Sequence, residues 1–274
     1  MNTYLIIGGT GKVGGRLAQI LRKTSHTVRI ASRSGGDVRF DWRDYGTYRH
    51  ALAGVDGVFL VGPGSATDWS ENLTEFLAAA EMEGVGRAVF LSARAVEFLP
   101  GGAVDLAEGA LRAGPISWTI LRPTHFAQNF TEAMFAPVDG EVRAPVAHGT
   151  EPFIDIEDLA EVAAAVLISP SYDGDTIEIS GPSAISFDEA VALLGQHAGQ
   201  AFTFVHELPA QHEVRLGEAG TPEGYIAWRM AMLGAIHRGD DAYLSDGVQR
   251  VLGRPATSFS DWARREAASF SRNT

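Results

Sequence analysis

The chain has 274 residues, a formal charge of −12, 45% hydrophobic and 20% charged residues, and no cysteine. Its length suits one generous domain, or a nucleotide-binding domain with a smaller appendage, and the missing thiols exclude disulfides, thiolate catalysis and cysteine-ligated metal. An acidic chain without clustered Lys or Arg argues against nucleic acid as a partner, and no run of sequence is apolar for long enough to span a membrane.

Leu5, Ile6 and Ile7 predict a short buried strand, and Val13, Leu17, Ile20 and Leu21 then recur at helical spacing. Between them stand Gly8, Gly11 and Gly14. At that spacing a backbone can turn tightly, approach a pyrophosphate and pack the new helix on the strand, whose free N–H groups and positive dipole end face the anion. A strand before and a helix after are the context that a dinucleotide site requires. The chain enters this strand without a basic segment or an apolar signal core, so a cytoplasmic protein is expected.

A second strand over 27–32 ends at Ser32, Arg33 and Ser34, where a dinucleotide fold places its ribose-reading residue. Arg33 in place of Asp or Glu, with hydroxyls beside it, suits a 2′-phosphate and hence NADPH. Asp37 lies close enough to leave that preference open, and the alternative to the phosphate role is a solvated arginine at a strand end. A third strand over 38–42 ends in Asp41 and Trp42, which would flank an adenine or simply pack. A short helix follows from about 45 to 52, then a fourth strand over 57–61 that closes in Gly62 and Pro63, a turn facing the cofactor.

Asp68 to Glu71 reads as a capping box, opening a helix with Trp69, Leu73, Phe76, Leu77 and Ala80 on one face. Strand five covers 87–92 with Ser92 at its carboxyl end, a weaker helix runs over 103–112, and strand six covers 117–121. Right-handed crossovers make this an α/β fold with a doubly wound parallel sheet. From Arg122 a polar and aromatic loop leads to a helix capped by Asp155, a strand over 176–180, a helix opened by a Ser186–Glu189 capping box, and a short outlying strand over 202–205. Tyr225, Ile226, Trp228, Met232, Leu233 and Ile236 form a bulky stripe over 222–238, either packed on the core or walling a pocket for an apolar ligand. A last helix spans 259–270. The expected organisation is a Rossmann core over 1–155, a helix and strand over 156–180 that return to it, and a small α+β substrate-covering region over 181–274.

With these pieces in place, the chain resembles the NmrA-like branch of the atypical short-chain dehydrogenase/reductases, which contains triphenylmethane-reductase-like, quinone-reductase-like and ergot-alkaloid-reductase-like proteins. The likeness is carried by the stretches 8–14, 40–42, 53–60, 118–123 with Phe126 and Asn129, and 153–160. It implies a Rossmann core, NADP as cofactor and a small C-terminal roof over the substrate cleft. It further implies that Thr10, Gly11, Lys12 and Val13 hold the pyrophosphate, Arg33 the 2′-phosphate, and Asp41 and Trp42 the adenine side. Gly62, Pro63, Ser92, Pro123, Thr124 and Phe126 would line the nicotinamide end.

The departure from that family concerns the acid. Short-chain dehydrogenases generally use a Tyr-x-x-x-Lys pair after strand five, but here no Tyr lies between Tyr48 and Tyr172 and no Lys follows Lys23. Asp105 stands at the corresponding position, followed by Glu108. His125, which can donate or accept near neutral pH, is the best candidate for proton transfer. Asp105 and Glu108 could serve if burial raised their pKa, a solvated helix face being the plainer reading, and Ser92 could orient a substrate oxygen. His206 and His212 are expected at the surface, and no metal is expected. The aromatic residues downstream of Phe126 suggest a small, apolar, aromatic or polycyclic substrate. A redox sensor with a protein partner and a redox-neutral cyclase or isomerase are the other two readings.

Overall fold

The computed structural model describes residues 1–64 and 67–270. The first half alternates strand and helix: β1 (Thr3–Ile7), α1 (Lys12–Arg22), β2 (Thr27–Ser32), β3 (Val38–Arg39), α2 (Tyr48–Leu52), β4 (Gly57–Val61), α3 (Ser70–Met82), β5 (Arg87–Leu91), α4 (Ala103–Ala113) and β6 (Ser117–Pro123). Then come α5 (Asn129–Glu132), β7 (Glu141–Ala144), β8 (Thr150–Glu151), α6 (Ile156–Ile168) and β9 (Thr176–Ile179). Seven strands form one sheet in the order β3-β2-β1-β4-β5-β6-β9, with every pairing parallel. The order reverses between β1 and β4. A crevice therefore opens beyond their carboxyl ends, where open α/β sheets bind ligands.

The central strands are apolar throughout because helices cover both faces. On one side Phe40, Trp42, Tyr48 and Phe76 pack with Leu5, Val58 and Phe90; on the other, α1 and α6 close over Ile6, Phe59 and Val89. The Asp155 carboxylate caps α6 by accepting the Glu157 N–H at 3.1 Å.

The remaining elements are β10 (Ile185–Ser186), α7 (Phe187–Ala198), β11 (Thr203–His206), α8 (Pro209–Glu218), α9 (Glu223–Arg238), α10 (Gly247–Leu252) and α11 (Phe259–Phe270). They do not stand apart from what precedes them, since β10 pairs antiparallel with β8 and β11 pairs parallel with β7. A third core, built on Phe130, Phe135, Phe153, Phe187, Phe259 and Trp262, fills this part. Its rings meet mostly edge to face, as Phe135 and Phe187 do at 4.9 Å and 88°. The downstream phenylalanines are thus mainly core, which corrects the use of the aromatic inventory as a sign of substrate.

Several local expectations shift. The third strand stops at Arg39, because Trp42 turns inward and its indole N–H donates to the Val61 carbonyl at 3.0 Å. Asp68 does not cap α3; it accepts the Ser70 N–H at 2.9 Å in a tight turn, and the helix begins at Ser70 without a side-chain cap. Ser186 and Glu189 do form the capping box that opens α7. His212 is wholly buried, contrary to its expected place at the surface, because Pro209 starts α8 instead of interrupting it and turns His212 onto Glu207. No described helix is long and apolar enough to cross a membrane.

Candidate active site

Three glycines shape the start of the site. Gly8 leaves β1 with φ +75°, which favours glycine, and Gly11 precedes α1 with no side-chain cap, leaving the first helical N–H groups open. A Cβ on Gly14 would stand 2.4 Å from the Gly8 carbonyl oxygen, so helix and strand touch backbone to backbone there. Gly9, which the motif did not single out, is also tight, with Ile30 Cγ2 at 2.8 Å from its notional Cβ. A diphosphate fits this concavity, where backbone N–H groups and the helix dipole face it. Val13 is buried in the core, so its N–H at the open helix end is what it offers. The Lys12 ammonium turns to the Glu132 carbonyl at 3.2 Å and carboxylate at 3.5 Å, tying α1 to α5.

Beyond the glycines lies a cavity of about 350 Å³, lined by Gly8, Thr10, Ser32, Arg33, Asp41 and Trp42 among others. Arg33 is exposed on its rim, as is Arg43, which also lines it and which the sequence reading missed. Two guanidinium groups at one rim suit a phosphate. Asp37 does not line this cavity: its carboxylate accepts the Ile30 N–H at 2.8 Å. The Ser32 hydroxyl donates to the Ser34 carbonyl at 2.5 Å, so its oxygen is left to accept. Trp42 is core as well as wall, 6% exposed with its ring 4.9 Å from Trp69.

A second cavity of about 330 Å³ shares Val61 and Gly62 with the first, so the two form one trough along the strand ends. Pro63 lines the first part; Ser92, Pro123, Thr124, His125 and Phe126 line the second. Its apolar walls include Trp69, Phe90, Tyr225, Trp228 and Met232. Helix α9 therefore has both roles open in the sequence: Leu233 and Ile236 are wholly buried, while Tyr225, Trp228 and Met232 wall the cavity. The indole N–H groups of Trp69 and Trp228 are buried without an acceptor among the described residues.

Ser92 is 6% exposed and its hydroxyl donates to Glu108 at 2.5 Å. Glu108 is fully buried under the cavity floor and also binds Arg122 at 2.7 and 2.9 Å and Arg112 at 2.8 Å. Burial alone would raise its pKa, but hydrogen bonds from Arg122 and Ser92 and the charges of Arg122 and Arg112 outweigh burial, and the pKa is lowered. Glu108 is thus a strut held ionised by its partners, neither the acid nor the solvated residue expected. Asp105 also lies outside the cavity lining, its carboxylate accepting the Gly101 N–H at 2.9 Å near the start of α4.

His125 is placed differently. Its backbone N–H and its Nδ1 both meet Glu151 Oε1, at 2.9 and 3.1 Å, so Nδ1 carries a proton for the carboxylate and Nε2 is the working nitrogen. Among the described residues Nε2 has no protein partner. Burial disfavours the imidazolium, yet the charge and hydrogen bond of Glu151, helped by Asp241, leave the pKa raised above 6.5. Asp241, 2% exposed and also lining the cavity, brings an oxygen within 4.8 Å of the His125 and Glu151 ligand atoms. Glu151 and Asp241 carried no signal in the sequence. Arg94, 1% exposed and 3.3 Å from Asp241, makes the cluster a poor cation site.

The chain is similar to several known proteins. An oxidoreductase of uncharacterised specificity, YesF of Bacillus subtilis, is 33% identical over 97% of this chain and 96% of its own length. Agroclavine dehydrogenase of Claviceps fusiformis is 27% identical over 95% and 96%. The triphenylmethane reductase of Citrobacter sp., solved with NADP(H), superposes with a TM-score of 0.79 at 22% identity, covering 97% of this chain and 99% of that one. Residues 8–170, from the first glycine to just past α6, match the NAD(P)H-binding family, and the chain belongs to it.

Proposed function

We propose that the protein is an NADPH-dependent reductase of a small, flat, largely apolar aromatic acceptor. The observation that carries this reading is the continuous trough: a glycine cradle and two arginines at one end, and an aromatic-walled cavity with a raised-pKa imidazole at the other. Similarity to proteins named for dehydrogenation of agroclavine and reduction of triphenylmethane supports the choice of substrate class. When bound, the nicotinamide supplies a hydride from its C4. Gly8, Thr10 and the α1 amino end hold the diphosphate, Arg33 and Arg43 take the 2′-phosphate, and α9 excludes water from the acceptor. Once hydride has added to carbon, the electron pair sits on the acceptor's heteroatom, and the Nε2–H of His125 protonates it.

The test is NADPH consumption across quinones, iminium compounds and enones. Turnover of at least one class is expected; none, despite tight NADPH binding, would remove the reading and favour a sensor. His125→Asn is expected to lower kcat by about 100-fold with a quinone and by much less with an iminium acceptor, which needs no proton. If Tyr225→Phe shows that difference and His125→Asn does not, the phenol is the donor. With wild-type protein the quinone rate should fall as pH passes the His125 pKa, which lies above the ordinary 6.5. For the cofactor, Arg33→Ala combined with Arg43→Ala should weaken NADPH by about 10- to 100-fold, one to two hydrogen-bonded charge pairs, and leave NADH unchanged. Equal losses for both nucleotides in calorimetry would count against 2′-phosphate recognition.

A further inference from the structure

The buried charges beneath the cavity exceed what orienting one imidazole requires. Glu151 alone fixes the His125 tautomer through Nδ1 and the backbone N–H. Asp241 adds a second carboxyl group to the same buried space, and the fold holds it there deliberately. Arg94, on the turn after β5, reaches the segment between α9 and α10: its Nη1 meets Asp241 Oδ1 at 3.3 Å and the Tyr243 carbonyl at 2.8 Å, and its guanidinium lies 3.8 Å from the centre of the Tyr243 ring. Ser180, at the end of β9, anchors the same segment by accepting the Ser245 N–H at 2.9 Å. A buried carboxyl is costly unless it is paired or protonated; Arg94 supplies a partner on one side, and the His125 and Glu151 ligand atoms lie within 4.8 Å of an Asp241 oxygen.

We propose that Asp241, acting through His125 with Glu151 as the fixed counter-charge, is the proton reservoir of the reductase. This rests on the reading of the protein as a reductase. The imidazolium of His125 gives its Nε2 proton to the acceptor heteroatom that has gained the electron pair. The neutral imidazole then takes the proton of the Asp241 carboxyl group, and the Asp241 carboxylate, beside Arg94, recovers a proton from solvent when product leaves. One hydride and one proton enter the substrate per cycle, and the cluster returns to its starting charge.

The electrostatics agree with these roles. Burial raises the Asp241 pKa, the Glu151 charge raises it further, and His125 and Arg94 offset only part, so that it reaches about 8. Asp241 therefore exchanges its proton much nearer neutral pH than an ordinary carboxyl group does. His125 faces Glu151 and, once it is ionised, Asp241, which favour its charged form, and Arg229 of α9, which opposes it. Two groups this close exchange protons as a pair and titrate in coupled steps.

The experiment is a pH titration of cofactor-free protein labelled at the histidine ring nitrogens, with the His125 signals assigned through His125→Asn. Wild-type His125 should titrate above 6.5 in two steps. Asp241→Asn should leave a single step, and Glu151→Gln should lower the midpoint by more than about one unit as the counter-charge is lost. In steady state, Asp241→Asn should move the basic limb of the kcat profile with a quinone and spare KM; a role in folding alone would lower the melting point and leave that limb in place. A single-step His125 titration indifferent to Asp241→Asn overturns the relay, whatever the enzyme reduces. Micromolar zinc binding that abolishes the titration overturns it too, by making the cluster a metal site. Coupled titration without turnover of any acceptor supports the paired cluster and removes the reductase reading instead.

Discussion

Gly14→Ala is expected to weaken NADPH binding by about 100-fold or more and to destabilise the protein by about 1–3 kcal/mol. The new Cβ would lie 2.4 Å from the Gly8 oxygen and 2.9 Å from both the Gly8 carbonyl carbon and the Gly9 Cα. All three are backbone atoms, so no side chain can swing aside; α1 must lift from β1 by roughly an ångström to reach ordinary contact distance. That movement carries the open N–H groups away from the diphosphate. Gly15→Ala is the control, one residue along the same helix. Its Cβ would meet only the Gly9 oxygen at 3.5 Å, an ordinary contact, and alanine in a helix should add about 0.5–1 kcal/mol of stability. Calorimetry with NADPH and urea unfolding of the two variants read the contrast. Unchanged affinity in Gly14→Ala would mean that the diphosphate does not depend on the close helix–strand contact.

The glycine cradle could be read from sequence because its information is local: a turn, a close approach and a helix end all lie within a few residues. The same holds for the Asp155 and Ser186 caps and for the strand that returns as β9. Periodicity also marked the bulky face of α9, but it says which residues share a face and not whether that face meets core or cavity; here it meets both. The phenylalanines after Phe126 misled for the same reason. Phe130, Phe135, Phe153, Phe187 and Phe259 find one another across α5, α7 and α11, while Trp69 and Phe90 from the first half wall the cavity. Least visible was the acid–base cluster. His125 follows β6, Glu151 ends β8 and Asp241 follows α9, and only the packing of the C-terminal part on the sheet makes them neighbours.

Glu108 gives the other large effect, and it depends on the same long-range assembly. Burial of a helix residue at 0% exposure would ordinarily select an apolar side chain; here Arg122 from β6, Arg112 from its own helix and Ser92 from the end of β5 converge on one carboxylate. Glu108→Ala removes the partner of a charge that is only 17% exposed and leaves the Ser92 hydroxyl without its acceptor. Glu97 and Glu178, 3.6 and 3.5 Å from Arg122, soften the loss. The expected cost is about 3 kcal/mol, the low end for breaking a buried pair, which lowers the melting point of a chain this size by roughly 6–12 °C. The pH dependence follows from the sign of the shift. A carboxylate with a lowered folded-state pKa contributes stability above its unfolded pKa of 4.5 and loses it as pH falls through the folded value. The gap between wild type and Glu108→Ala should therefore be constant near neutrality and close in acid. Asp241 runs the other way: its raised pKa adds stability at low pH that fades as pH climbs toward about 8. Asp241→Asn should thus gain on wild type over that range, while Glu108→Ala keeps a constant deficit. Thermal unfolding of the three proteins between pH 4 and 9 separates strut from reservoir, and parallel curves for both variants would contradict the opposite roles assigned to these two buried acids.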